Sequence, residues 1–406
     1  MKPSVGDRLE LEITKVVHGG YGLGRHEGFV VFVKGTLPGE TVSVHVDEVK
    51  KTHGYAHLID VLEPSPYRRE HVWPEADYRR PVSQRVGGAD YGHIERSHQL
   101  QLKAEILRDA LNRFGRVDDT LSANVSVEAL PGDDSGLGWR TRTTLHVAED
   151  GTVGPYAEGT HSVVPVETLP LSTPKSESLG LHRQDFRGHS RIRITHPRQS
   201  PPRIIIDNQA PEPITEWVGE ISFQLTDQSF WQVHTSAAET LYDIVTEMIG
   251  NSTLAADAEN WDLYGGVGLF GRALSDFLGP SARVVSVESD PDAARCAAAN
   301  LTGYSHAQAV ESSTEDFLKA QQSGNVKEQL GVVVLDPPRS GAKEDVVRRL
   351  CGRNPETVIY VACDPVALGR DLGIFRDRGY VPVEFKGFDL FPHIHHFETV
   401  VSLRQL

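Results

Sequence analysis

Residues 357–371 read "TVIYVACDPVALGRD", and the reading of this stretch decides the fold of the second half of the chain. "TVIYVA" is a continuous apolar run of strand length, rich in β-branched side chains, as in a strand covered on both faces. It gives way to a polar turn at Cys363. Working outward, "GVVVLDPPRSG" (331–341) is a second buried strand with a polar carboxyl end. "NWDLYGG" (260–266) runs from strand into glycine loop, and "ARVVSVESD" (282–290) is a strand ending in acid. "VPVEFKGFDLF" and "ETVVSLRQL" look like a closing antiparallel pair. From about residue 226 strands alternate with helical stretches, which predicts an α/β fold with a doubly wound, mostly parallel, Rossmann-like sheet.

The 406 residues leave room for two or three domains, each able to bury a core. The first sixty residues read as short alternating strands, "RLELEITKV", "GFVVFVKG", "ETVSVHVDEV" and "GYAHLIDVL", with turns at "HGGYGLG" and "TLPGE". This spacing predicts a small barrel of the oligonucleotide-binding type over residues 1–63. A mixed central domain over 64–225 holds an amphipathic helix, "SHQLQLKAEILRDALNRFG", with Leu102, Ile106, Leu107, Leu111 and Phe114 in one stripe. Strands are expected there at "TRTTLHVAED" and "RIIID", and loops or edges at "RQSPPR" and "APEPITEW". Residues 226–406 form the third unit.

The opening "MKPSVGDRLELEITK" lacks the apolar core of a signal peptide, and the longest apolar runs are too short for a bilayer. Three cysteines with no paired spacing fit a reducing cytoplasm. A formal charge of −15 argues against nonspecific coating of nucleic acid. A local exception is 182–203, where Arg183, Arg187, Arg191, Arg193, Arg198 and Arg203 face one acid, Asp185. It reads either as a solvated arginine-rich loop and strand or as an RNA-facing patch.

Ligands of open α/β sheets bind at the carboxyl ends of the strands. Gly265, Gly266 and Gly268 follow a strand directly, so backbone can approach a ligand there without a Cβ in the way. Glu288 ends the next strand, placed to accept from ribose hydroxyls. A dinucleotide or S-adenosylmethionine would suit both features. "LDPPRSG" favours the second: Asp336 followed by two prolines is a rigid, extended turn of the kind methyltransferases use on planar centres in bases.

Cys363, at the end of another strand, then has a chemical use. Carbon 5 of a pyrimidine is a poor nucleophile until a thiolate adds to carbon 6, and a base must afterwards remove the carbon 5 proton. Glu398, at the start of the final strand, is the candidate base. Cys296 and Cys351 fall in helical contexts and read as packing residues. The histidines at 393, 395 and 396 have no adjoining acid–cysteine ligand cluster, so no metal site is expected.

These motifs carry a resemblance. The chain resembles, over nearly its full length, the TRAM-domain family of S-adenosylmethionine-dependent RNA uracil-5-methyltransferases. "HGGYGLGRHEGFVVFVKGTLPGETV" is similar to a TRAM barrel, which implies RNA binding. "QSFWQVH" resembles the family's glutamine motif, implying that Gln232 contacts cofactor and that Phe230 or Trp231 approaches the target base. "DLYGGVG" implies that Tyr264 and the glycines line the cofactor, with Glu288 at the ribose and Asp336 the strand-end acid. Cys363 in "YVACDP" matches the nucleophile and Glu398 in "FPHIHHFE" the proton-abstracting base.

Many relatives hold an iron–sulfur cluster through four cysteines. Here Arg80, Val86, Ala89 and Leu169 stand at those positions, so no cluster is expected. Ser313, His234 and Ile394 are further departures from the family's usual residues. The resemblance implies a cytoplasmic, monomeric enzyme that methylates carbon 5 of one uridine in ribosomal or transfer RNA. The alternative is an RNA-binding protein on a catalytically degenerate methyltransferase scaffold.

Overall fold

In the computed structural model, which describes residues 2–252, 258–322 and 330–406, the N-terminal strands close on themselves. Arg8–Val17, Tyr21–His26, Phe29–Lys34, His53–Glu63 and Thr41–Val49 follow one another around a barrel. Alternation puts Leu11, Ile13, Val31, Val33, Val42, Val44 and Val46 inside, all buried. One strand departs from the sequence reading. Tyr21–His26 lies within the expected "HGGYGLG" turn, because glycine is the only residue that fits at two of its positions. A Cβ on Gly22 would lie 2.0 Å from Thr36 Oγ1, and one on Gly24 would lie 3.1 Å from the Glu12 carbonyl. Glycine in a strand here marks close approach by a neighbour rather than a turn.

The largest sheet has eight strands in the order Ala307–Glu311, Arg283–Glu288, Glu259–Leu263, Leu330–Leu335, Thr357–Ala362, Glu398–Gln405, Tyr380–Asp389, Val127–Ala129. The first five run parallel, and Glu398–Gln405 is antiparallel to both of its neighbours. This is the doubly wound architecture expected, with its switch point between Glu259–Leu263 and Leu330–Leu335. The last strand, Val127–Ala129, comes from the central stretch and pairs in parallel with Tyr380–Asp389.

The helix Arg96–Ala110 also reaches across, burying Leu102, Ile106 and Leu107 in the same apolar core as Leu335 and Tyr360. Phe114 leaves that stripe and is exposed. The helix widens into a π turn over Leu111–Gly115, which rotates Phe114 off the buried face. Lys103 is fully buried on this helix, with Nζ 2.5 Å from Asp389 Oδ1; Arg96 Nη1 is 2.5 Å from Asp389 Oδ2. Remaining central strands form a four-stranded sheet, Arg203–Ile206, Arg191–Thr195, Arg142–Val147, Val153–Gly154, and a separate hairpin of Pro213–Val218 with Ile221–Thr226. Among the described residues no helix is long and apolar enough to cross a membrane.

Candidate active site

Glu259–Leu263 ends in a backbone under constraint. Tyr264 has φ +64°, in the left-handed region that L side chains seldom adopt, and Gly266 and Gly268 follow at +54° and +89°. Gly265 is packed so tightly that a Cβ would lie 2.2 Å from Ser286 Oγ and 2.8 Å from Asp262 Oδ2. Beneath the loop, Asp262 Oδ2 accepts from Gly271 N–H and Ser286 Oγ–H, each at 2.8 Å. Complete burial pushes this carboxyl up to about 6. Sequence reasoning missed it, because the strand Glu259–Leu263 also carries Glu259 and Asn260 and nothing in the linear sequence singles out Asp262.

Glu288 ends the neighbouring strand half-buried. Its Oε2 accepts from Gly266 N–H at 2.9 Å, and its Oε1 accepts from Asp290 N–H at 2.6 Å, so the carboxylate shapes the glycine loop. Asp336, on the other side of the switch point, is pushed up to about 7 by burial and by the charge of Asp262. Three acids therefore crowd these strand ends. Acceptors dominate the donor set, which suits ribose hydroxyls and a cationic sulfonium and opposes a pyrophosphate. Tyr264, the glycine loop, Glu288 and Asp336 accordingly fit S-adenosylmethionine.

Cys363 and Glu398 meet through strand register. Ala362 and Thr399 are the last pair of the antiparallel ladder, and Cys363 and Glu398 are the next positions along, near enough that the Glu398 carboxyl acts on the thiol. Glu398 is 4% exposed, and its Oε1 is buried with no hydrogen-bond partner among the described residues. Burial, then Asp336, hold its carboxyl well above the usual range. Burial, then Glu398 and Asp336, push the half-buried Cys363 thiol up to about 12, with Arg339 acting in the opposite direction.

Beside the thiol is a cavity of about 10 Å³, walled by His18 of the barrel, Ile106, Pro365, His395, His396 and Phe397. His18 Nε2 lies 3.2 Å from Asp364 Oδ2, so a barrel turn docks on the loop that carries the thiol. His395 and His396 also wall a far larger cavity of about 800 Å³. Barrel, central and sheet segments converge there through Lys34, Arg140, Arg142, Arg193, Tyr156, Phe391 and Arg339. A space of this size accommodates a flipped nucleotide and its flanks.

The remaining expectations divide. Gln232 lines a different cavity of about 220 Å³ with Arg198, Trp231 and His234. Trp231 is buried in the core against Phe223, with ring centroids 5.3 Å apart, whereas Phe230 is 69% exposed; only Phe230 is free to meet a base. The arginine-rich stretch is no uniform patch. Arg198 pairs with Glu239, Arg203 with Glu212 and Asp227, and Arg193 with Gln228, leaving Arg193 as its one member on the large cavity.

The histidines also serve separate partners: His393 meets Gln99 and the Ser135 carbonyl, and His395 meets Asp90 at 2.6 Å. Val86, Ala89 and Leu169 lie in one apolar core with Trp73 and Trp139, and Arg80 donates to the Gln84 carbonyl. The cysteines, at 296, 351 and 363, all lie elsewhere. These residues do not fit an iron–sulfur cluster.

A sheet of this topology with these strand ends defines a methyltransferase that uses S-adenosylmethionine. Residues 3–59 match the TRAM domain, and residues 203–406 match the tRNA (uracil-5-)-methyltransferase family. An uncharacterized RNA methyltransferase of Streptomyces avermitilis is 32% identical over 98% of both chains. One from Bifidobacterium longum is 32% identical over 97% of this chain and 96% of its own. The crystal structure of Pyrococcus abyssi tRNA (uracil-54, C5)-methyltransferase in complex with S-adenosyl-L-homocysteine shares the fold. Its TM-score is 0.71 at 20% identity, covering 97% of this chain and 100% of that one. The chain belongs to the tRNA (uracil-5-)-methyltransferase family of RNA methyltransferases, with a TRAM domain at its N-terminal side.

Proposed function

We propose that the protein methylates carbon 5 of a specific uridine in structured ribosomal or transfer RNA through a covalent cysteine–uracil adduct. The observation that supports this reading is the ladder end at Ala362 and Thr399, from which Cys363 and Glu398 emerge close enough for the carboxyl to act on the thiol, with Cys363 on the small cavity whose His395 and His396 also wall the cation-lined one. In this reading residues 1–63 and 64–225 grip RNA, residues 226–406 carry the chemistry, and the enzyme is a cytoplasmic monomer. Gln232, Tyr264, Gly265, Gly266, Gly268, Glu288 and Asp336 would hold the cofactor, and Phe230 would stack on the extruded base.

Cys363 loses its proton and forms a bond from Sγ to carbon 6, and the carbon 5–carbon 6 π pair moves onto the ring as an enolate. Bound S-adenosylmethionine would supply an electrophilic methyl group, taken by carbon 5 as the S–CH3 bond breaks and the neutral thioether S-adenosylhomocysteine is left. Glu398 then removes the carbon 5 proton, the double bond re-forms, and Sγ is expelled as thiolate. In the free enzyme both groups are held protonated by burial and by their acidic neighbours. Ionisation of the pair therefore follows filling of the cleft, with Arg339 the cation on hand to favour the thiolate.

Total RNA from cells lacking the protein, incubated with purified enzyme and S-adenosylmethionine, should gain 5-methyluridine by nucleoside mass spectrometry. Cys363→Ala should give none while binding cofactor normally by calorimetry. Methylation retained in that variant removes the nucleophile; failure of the intact protein to bind cofactor supports the degenerate scaffold.

A further inference from the structure

On the outer face of the barrel, away from Cys363, three metal-binding side chains converge. His45 and Asp47 lie two residues apart on Thr41–Val49 and so project from one face. His57, on His53–Glu63, stands directly opposite His45 in the antiparallel ladder. Asp47 Oδ1 is 2.7 Å from His57 Nδ1 and 3.4 Å from His45 Nδ1, and the two imidazole rings are 4.9 Å apart. Their ligand atoms all lie within 4.8 Å of one another, the single such group of three among the described residues.

We infer that His45, Asp47 and His57 bind a divalent transition-metal ion of the zinc class. Two imidazole nitrogens and one carboxylate oxygen suit zinc, nickel or copper, whereas calcium and magnesium require more oxygen donors. Both nitrogens already aim at one oxygen, so an ion among the three needs only small side-chain rotations. Pairing of the two strands slips between Thr41 and Val42, between Ser43 and Val44, and again between Val46 and Glu48, where Asp47 is the extra residue. Such irregularities re-aim side chains, and here they gather three onto one point. Across the sheet Arg8 pairs with His45 in register but donates from Nε to Ser43 Oγ at 3.0 Å, which draws its charge aside. All three ligands are partly or fully exposed, leaving the remaining coordination positions to water or to a partner's donor. The bound ion would clip the two strands together where their ladder is weakest.

The test uses the full-length chain without an affinity tag, stripped by chelator and titrated with Zn2+ by calorimetry and with Co2+ by visible absorption. Wild type and a His26→Gln control should take up one ion per chain with equal affinity. The His45→Gln/His57→Gln double variant should lose about tenfold or more in affinity. Zn2+ should raise the melting temperature of wild type and leave that of the double variant unchanged. Circular dichroism checks that the double variant is folded, as the exposure of both histidines implies. Absence of saturable uptake, or equal affinity in the double variant, overturns the site. None of these readings depends on the chemistry at Cys363.

Discussion

In the proposed mechanism Cys363 is the nucleophile. Its thiol is pushed up to about 12, so at pH 8 far less of it is thiolate than of a free cysteine near ~8.5. Raising the pH increases the thiolate, so alkylation should accelerate through the whole range up to pH 10 without a plateau. In the free enzyme at pH 8, iodoacetamide should label Cys363 at least ~10-fold more slowly than glutathione, as read by peptide mass spectrometry. A plateau below pH 8 would mean a preformed thiolate. At this scale the sequence was informative where chemistry needs an unusual residue at a strand end: a thiol after "VA", an acid before two prolines, a glycine loop. It was silent on Asp262, whose importance comes from lying under Gly265 and Gly271, a relation that no linear spacing expresses. It also left Phe230 and Trp231 undivided, because only packing against Phe223 removes the tryptophan from play.

Among the elements, the helix Arg96–Ala110 joins the central stretch to the largest sheet through a buried charge, Lys103, that lay outside the expected apolar stripe. Lys103 and Asp389 are both 0% exposed and bonded to each other, with Arg96 sharing the carboxylate. Removing the lysine leaves an under-compensated buried charge, so Lys103→Met should lower unfolding free energy by about 3 kcal/mol in denaturant titration. No loss in Lys103→Met would show that Arg96 alone suffices. The apolar stripe of this helix was legible from Leu102 to Leu111 and failed at Phe114, where the π turn changes the period. Its close contact there is with the glycines of Pro365–Arg376: a Cβ on Gly369 would lie 2.7 Å from the Ala110 carbonyl. The strand Tyr21–His26 was hidden for the converse reason, since glycines chosen for clearance look like glycines chosen for turning.

Over the whole molecule, a chain of net charge −15 gathers Lys34, Arg140, Arg142, Arg193 and Arg339 around one cavity. Arg142 Nε and Nη2 are buried there with no hydrogen-bond partner among the described residues. Phosphate contacts release counterions, so RNA affinity should fall steeply with salt. Arg142→Ala should reduce the slope of log affinity against log salt by about one, with cofactor binding unchanged. An unchanged slope would place Arg142 off the RNA path. The doubly wound sheet and the barrel were each legible because hydrophobic period survives in local sequence. The meeting of three segments at this cavity was not, because it depends on contacts such as His18 with Asp364, 346 residues apart.

The proposed mechanism needs a thiol and a carboxyl on one uracil ring, and Cys363 and Glu398 are the positions that follow the last ladder pair, Ala362 with Thr399. Its most direct test is denaturing electrophoresis with peptide mass spectrometry on Glu398→Gln, incubated with S-adenosylmethionine and RNA from cells lacking the protein. The account predicts a slow-migrating protein–RNA species whose modified peptide carries a methylated uridine on Cys363, absent when Cys363→Ala is added. Full turnover by Glu398→Gln, or an adduct on any other residue, would contradict it.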